Sequence, residues 1–196
     1  MIRTGVFGGS FNPIHKGHLA VATSAVNQNL VDETWILVSP HNPLKVHDHL
    51  LDDDFRLKLA QLATEDCPKV SISDFEFHLP RPSYTIHTLE KLSKAYSERQ
   101  FSLIIGADNW IEFHRWYHYK EILDRYSIII YPRENSPVVK DNLPDNVTLL
   151  DLPLYPISST AIRERLRRNE CASEWLPEAV ERELQSYLRE HPQTWQ

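Results

Sequence analysis

Residues 8–18, Gly8-Gly9-Ser10-Phe11-Asn12-Pro13-Ile14-His15-Lys16-Gly17-His18, connect a short apolar run to a segment of helical periodicity. Four of the five glycines in the chain (Gly5, Gly8, Gly9 and Gly17) fall within its first 17 residues. Glycine occurs where backbone bends sharply or lies close to another group, so a specialised turn is predicted here. Its spacing matches neither G-x-x-x-x-G-K-[S/T] nor G-x-G-x-x-G, which argues against a P-loop and against a dehydrogenase cofactor loop.

Apolar, β-rich runs alternate with helical segments along the rest of the chain. Strands are predicted at 3–7, 33–39, 69–73, 101–105, 127–131 and 147–150, and helices at about 19–30, from 53, from 84, between 106 and 123, from 158 and from 177. This order predicts an α/β fold, with a doubly wound, mostly parallel Rossmann-like sheet and helices on both faces. No repeat or linker interrupts it, so residues 1–196 are predicted to form a single domain, with 134–146 as a surface loop.

The carboxyl ends of the predicted strands locate the site. In doubly wound sheets, ligands bind beyond these ends, near the point where strand order reverses. Loops 8–18, 39–45, 106–118 and 151–160 are therefore expected to meet at one rim.

Composition excludes several classes of protein. The 196 residues are 41% hydrophobic and 24% charged, which is typical of a globular protein. The net charge of −6 argues against a duplex-binding surface, and no apolar run approaches membrane-spanning length. The two cysteines form no C-x-x-C pair, and the N-terminal residues lack the apolar stretch of a signal peptide. We therefore expect a cytoplasmic protein that binds neither nucleic acid nor membrane, and homo-oligomerisation stays open.

His15 and His18 lie three residues apart, which places them on one face of the first helical turn. Beside them, loop N–H groups and a helix N-terminus would attract an anion. Two such histidines are elsewhere often surface or capping residues. They could also bind a metal, but no third ligand at a matching spacing is apparent. Their position after the first strand, beside Gly8 and Gly9, favours a functional role.

A second motif, Ile157-Ser158-Ser159-Thr160-Ala161-Ile162-Arg163, opens a helix late in the chain. Ser158 or Ser159 can cap this helix, leaving hydroxyl and N–H groups for phosphate oxygens. Arg163, one turn into the helix, can reach the same anion. By itself the motif also fits an ordinary capped helix with a solvated arginine.

Together these segments resemble the nucleotidyltransferases with an H-x-G-H motif, and more closely the bacterial nicotinate-nucleotide adenylyltransferases, over the whole chain. The resemblance implies catalytic roles for His15, His18, Lys45 and Arg163. It implies ATP contacts for Gly8, Gly9, Ser10, Phe11, Gly106, Asp108, Arg133, Ile157, Ser158, Ser159 and Thr160. The chain departs from the common pattern at Leu44, where the family more often has histidine before the lysine, and His41 is a candidate substitute.

The resemblance also implies an acceptor site. It assigns acceptor contacts to Tyr84 and Thr85, in a Ser-Tyr-Thr segment, and stacking on a pyridine ring to Trp116. Tyr117 and Asn12 complete the implied set, although Asn12 stands where the family more often has aspartate. Taken alone, the Ser-Tyr-Thr segment fits a helix cap and the aromatic cluster fits a core.

The implied reaction is adenylyl transfer from ATP to nicotinate mononucleotide by direct in-line attack, giving nicotinate adenine dinucleotide and pyrophosphate. Mg²⁺ is expected to accompany ATP, held by phosphates and water, with no protein metal site. The alternatives are transfer to another small acceptor, nicotinamide mononucleotide or phosphopantetheine, or a nucleotide-binding regulator without turnover.

Overall fold

The computed structural model describes residues 1–40 and 50–195. Its six parallel strands are β1 (Ile2–Gly9), β2 (Glu33–Val38), β3 (Val70–Ser73), β4 (Arg99–Gly106), β5 (Ser127–Tyr131) and β6 (Val147–Leu149). They form one sheet in the order β3-β2-β1-β4-β5-β6. The predicted α/β, doubly wound fold is therefore confirmed. Strand order reverses between β1 and β4, so a crevice opens beyond their carboxyl ends.

The helices cover both faces of this sheet. They are α1 (Lys16–Asn27), α2 (Asp53–Thr64), α3 (Thr85–Ala95), α4 (Ala107–Ile111), α5 (Tyr119–Arg125), α6 (Ser159–Arg167) and α7 (Glu178–Glu190). Short 3₁₀ turns occupy Phe75–His78, Phe113–Arg115 and Lys140–Asn142. The helix predicted between 106 and 123 is thus broken, because Trp116 is extended and His118 has a left-handed φ of 54°.

Two hydrophobic clusters, one on each face, hold the layers together. Val6 and Phe7 are neighbours in β1, yet Val6 packs into one cluster and Phe7 into the other, because successive strand residues point to opposite faces. The centre of the sheet is tightly packed: a Cβ added to Gly5 would lie 2.7 Å from Cδ1 of Ile104. Gly5 is therefore a packing residue of the sheet.

The connection over residues 134–146 runs over the surface. Residues 134–146 are irregular as predicted, apart from the turn at Lys140–Asn142. In the part of the chain that the structure describes, no helix combines the length and apolar character needed to cross a bilayer.

Candidate active site

Two cavities open beside the carboxyl end of β1. The first, here named the histidine cleft, has a volume of about 460 Å³ and is lined by His15, Gly17, His18, Asp108, Tyr131, Arg133, Ile157 and Ser158 among others. The second, the tryptophan pocket, has a volume of about 160 Å³; Gly8, Gly9, Ser39, Glu76, Thr85, Thr88 and Trp116 line it over an apolar floor. Residues from all four predicted rim loops contribute. Lys45 and His41 lie outside the described residues.

The two histidines form a stacked pair at the start of α1. Their ring centroids are 3.6 Å apart and their planes are inclined by 23°. His15 is buried at the N-cap, and the ring of Phe11 packs edge-on against His18 at 4.9 Å. Phe11 has a φ of 45°, a left-handed value uncommon for a bulky residue, so the turn is held by its surroundings. The two histidines therefore lie on the same face of the first turn of α1, as predicted, and their rings are tightly packed.

Both imidazoles are held neutral. Burial, assisted by the positive charge of Arg133, lowers the pKa of His15 to about 3. Burial, with smaller contributions from His15 and Arg133, also lowers the pKa of His18 well below its usual value. The backbone N–H of His15 donates to Nδ1 of His18 at 3.2 Å. A neutral imidazole that accepts at Nδ1 carries its proton on Nε2, so His18 offers an Nε2–H donor.

His15 adds a second polar group to the cleft. Its Nδ1 is buried and has no hydrogen-bond partner among residues 1–40 and 50–195. A buried polar atom of this kind is costly unless a ligand or water satisfies it. A Cβ added to Gly17 would lie 3.1 Å from this ring, so glycine allows the close approach here.

Arg133, Tyr131 and Asp108 form a further part of the lining of the histidine cleft. Arg133 Nη2 donates to the hydroxyl of Tyr131 at 3.0 Å, and its Nε lies 3.8 Å from Oδ1 of Asp108. Burial raises the pKa of Tyr131, which keeps the phenol neutral. Gly106 makes room for this arrangement, since a Cβ there would clash with Oδ1 of Asp108. Sequence reasoning missed Tyr131, although it ends β5 at the same rim.

The late serine motif contacts the first loop directly. Ser158 is the cap, because its Oγ accepts the N–H of Ala161 at 3.1 Å. The hydroxyl of Ser159 donates to the carbonyl of Pro13 at 2.9 Å. Ile157 and Ser158 line the histidine cleft, which brings the two ends of the chain to one site.

Arg163 reinforces this contact between the motifs. Its Nη1 donates to the carbonyl of Asn12 at 2.9 Å, and its Nη2 donates to the hydroxyl of Thr160 at 3.2 Å. In this arrangement the guanidinium positions the first loop. Contact of Arg163 and Thr160 with phosphate stays a prediction.

Arg56, which was not predicted from the sequence, stabilises the first loop through hydrogen bonds to backbone carbonyls. The guanidinium of Arg56 is fully buried and donates to the carbonyls of Ser10, Ser39 and Leu51 at 2.5, 2.8 and 3.0 Å. Asp53 accepts a further bond from it at 2.6 Å. An arginine on an amphipathic helix is ordinarily solvated, so no sequence signal distinguishes this one.

Asn12 belongs to the same scaffold. It is buried, and its Oδ1 accepts the N–H of Leu51 at 3.1 Å. Gly8 and Gly9, predicted to contact ATP, line the tryptophan pocket. The substrate contacts assigned to Ser10 and Asn12 stay predictions.

The implied acceptor residues fall into two groups. Thr85 and Trp116 line the tryptophan pocket, and their contacts with an acceptor stay predictions. Tyr84 and Tyr117 are exposed and do not line it; their ring centroids are 4.5 Å apart. Sequence reasoning missed Ser39, Glu76 and Thr88, which lie on three different elements.

Comparison with known proteins agrees with this geometry. The family model described as cytidylyltransferase-like matches residues 6–165, and the chain therefore belongs to this family. A Bacteroides thetaiotaomicron protein named "Probable nicotinate-nucleotide adenylyltransferase" is 49% identical over 189 residues, covering 96% of this chain and 94% of that protein. A Bacteroides fragilis protein with the same name is 53% identical over 164 residues, covering 84% and 82%. The predicted family is confirmed.

Solved structures share the fold. A Plasmodium falciparum nicotinic acid mononucleotide adenylyltransferase complexed with NaAD superposes with a TM-score of 0.81, at 18% identity over 96% of this chain and 97% of that one. The same enzyme complexed with APC gives a TM-score of 0.79 over 95% of this chain and 96% of that one, also at 18% identity.

Proposed function

We propose that the protein transfers the adenylyl group of ATP to nicotinate mononucleotide, releasing pyrophosphate and forming nicotinate adenine dinucleotide. One observation carries the proposal: a buried, neutral histidine pair lines an arginine-containing cleft, and the glycines just before it in the chain line a pocket that contains a tryptophan. The names of the Bacteroides relatives support the same acceptor.

ATP fits the histidine cleft. Arg133 supplies positive charge, and the N-terminus of α6 at Ser158 presents N–H groups that favour phosphate. The acceptor ring fits the tryptophan pocket, where Trp116 offers an aromatic face and Thr85 begins α3. Lys45 is proposed as a further triphosphate contact.

The reaction requires no protein nucleophile. An anionic phosphate oxygen of the acceptor attacks the α-phosphorus of ATP, forming one P–O bond as the bond to the bridging oxygen of pyrophosphate breaks. The residues of this chain orient the two phosphates and donate hydrogen bonds to the developing charge. The Nε2–H of His18 is the proposed donor to the α-phosphate.

Mg²⁺ enters with ATP as part of the substrate. Within the described residues, no cluster of three or more His, Cys, Asp or Glu side chains has a metal-binding arrangement. In the proposed function this cation keeps phosphate and water ligands. The carboxylates of Asp108 and Glu134, which line the histidine cleft, would face its water shell.

Pyrophosphate release tests the function. Purified protein is incubated with ATP, Mg²⁺ and one acceptor at a time: nicotinate mononucleotide, nicotinamide mononucleotide or phosphopantetheine. We expect the fastest release with nicotinate mononucleotide. Faster release with another acceptor would assign that acceptor in place of nicotinate mononucleotide. Absence of release with all three would favour a nucleotide-binding regulator.

We also propose a cytoplasmic location. Cys67 and Cys171 are both free thiols, which suits a reducing compartment. Fractionation of cells that produce the protein tests this, and recovery from a secreted or membrane fraction would contradict it.

A further inference from the structure

One charged side chain lies in an otherwise uncharged lining. Among the described residues that line the tryptophan pocket, Glu76 alone carries a charge; the others are apolar, glycine, hydroxyl-bearing or the indole of Trp116. A carboxylate is an unexpected neighbour for an acceptor that itself bears a ring carboxylate and a phosphate. Its position therefore requires a reason.

The carboxylate is held from two sides. Oε2 of Glu76 accepts a hydrogen bond from Ser39 at 2.7 Å, and Oε1 accepts one from Thr88 at 2.9 Å. Ser39 follows β2, Thr88 lies in α3 and is buried, and Glu76 belongs to the turn after β3. Three elements thus fix one side chain at the pocket wall.

Both of these bonds come from hydroxyl groups, so neither partner neutralises the negative charge. No lysine, arginine or histidine of residues 1–40 and 50–195 lies within 4.0 Å of the Glu76 carboxylate. A partly buried charge of this kind is stabilised when a ligand brings the opposite charge. The pocket is therefore suited to a cation.

The proposed acceptor supplies such a cation. In nicotinate mononucleotide the ring nitrogen is bonded to ribose, which makes the ring a quaternary pyridinium. Such a cation is attracted both to a carboxylate and to the face of an indole, here Trp116. Resting on the proposed function, we propose that Glu76 is a specificity-determining residue that selects acceptors with a positively charged pyridine ring and orients that ring.

The position of helix α3 suggests how the pyridine ring is oriented in the tryptophan pocket. Thr85 and Thr88 are three residues apart and both line the pocket, so they share one face of the helix. Thr85 is at the N-terminus, which attracts the ring carboxylate, while Glu76 beside Thr88 repels it. The ring carboxylate is thereby directed to the start of α3 and the ring nitrogen towards Glu76.

The test compares two ligands that differ in the charge of the pyridine ring and share the same ribose phosphate and ring substituent. Nicotinamide mononucleotide has a cationic ring, and its reduced 1,4-dihydropyridine form has a neutral one. Binding of both is measured by titration calorimetry, and their inhibition of pyrophosphate release from nicotinate mononucleotide is measured in parallel. We expect the wild-type protein to bind the cationic form at least about tenfold more tightly, a free-energy difference of about 1.4 kcal/mol.

Glu76→Gln removes the charge and keeps the shape. We expect it to lose most of the preference for the cationic ring and to raise KM for nicotinate mononucleotide about tenfold, with kcat and KM for ATP nearly unchanged. Asp74→Asn is the matched control: it removes one charge from an exposed side chain just before the same turn, and we expect wild-type preference.

Two results would overturn the inference. One is that the Glu76→Gln protein keeps the wild-type preference for the cationic ring. The other is that the wild-type protein binds both ring forms equally, and this measurement does not depend on the folding of any variant. The proposed function fails separately, if the wild-type protein releases no pyrophosphate from ATP with nicotinate mononucleotide.

Discussion

The histidine cleft and the tryptophan pocket both adjoin the carboxyl end of β1, yet their described linings differ in polarity. The cleft, at about 460 Å³, combines Arg133 with two neutral imidazoles. The pocket, at about 160 Å³, is mostly apolar and carries one carboxylate. A polar cleft with an arginine suits a triphosphate that arrives with Mg²⁺, and an apolar pocket with an indole suits a heterocyclic ring. One loop, residues 8–18, contributes to both cavities. Its glycines, Gly8 and Gly9, line the tryptophan pocket, and His15 and His18 line the histidine cleft.

Loss of His18 is expected to have the largest effect, because it removes the proposed hydrogen-bond donor to the α-phosphate from the histidine cleft. His18→Ala should lower kcat by about 10²–10³, the scale of losing one preorganised oxyanion donor. Steady-state pyrophosphate release measures this, with exposed His191→Ala as the control. Turnover near the wild-type rate would remove His18 from the mechanism.

Substitution of Arg133 should affect the cleft and leave the pocket unchanged. Arg133→Met removes the positive charge that faces the histidines, so KM for ATP should rise about tenfold or more while KM for the acceptor stays within about twofold. Arg125→Met, on the surface of α5 with Glu90 and Glu121, is the matched control. Equal changes in both KM values would contradict the division of roles between the cavities.

Acid should destabilise the cleft through His15. The folded protein holds this group neutral down to about pH 3, whereas the unfolded chain gains its proton near 6.5. The unfolded state therefore binds more protons below pH 6.5, and the unfolding free energy falls by about 1 kcal/mol per pH unit from there towards pH 3; above 6.5 this group has no effect.

Denaturant unfolding at pH 7.5, 6.0 and 5.0 measures that slope. His15→Gln should show a shallower fall over the same range than the wild-type protein. Identical slopes for the two proteins would show that folding leaves the pKa of His15 unchanged.

Trp116 should give the smallest effect, confined to the pocket. Trp116→Leu keeps an apolar wall but removes the aromatic face, so KM for nicotinate mononucleotide should rise about three- to tenfold with KM for ATP unchanged. Trp110→Leu, which packs on Phe113 and does not line the pocket, is the control. A larger change in KM for ATP than for the acceptor would reverse the assignment.

Much of the scaffold was predictable from local pattern. Strand β5 was predicted with its exact bounds, 127–131, because four buried apolar residues in a row indicate a strand covered on both faces. The cap at Ser158 and the one-face pairing of His15 and His18 were predictable because both depend on spacing within one helical turn. The continuous helix between 106 and 123 was wrong, because composition does not reveal the left-handed backbone at His118.

The sequence by itself determined the sheet, the glycine turn and the family, since these follow from hydrophobic period and from motifs of adjacent residues. Only the tertiary structure decided that Arg56 is buried under the first loop, that Arg163 bonds the carbonyl of Asn12 and that Glu76 and Trp116 line the same pocket. The physical reason is that a polar side chain carries no local signal of its partner. Its burial and charge compensation depend on residues far away in the chain, which only the fold brings within hydrogen-bond distance.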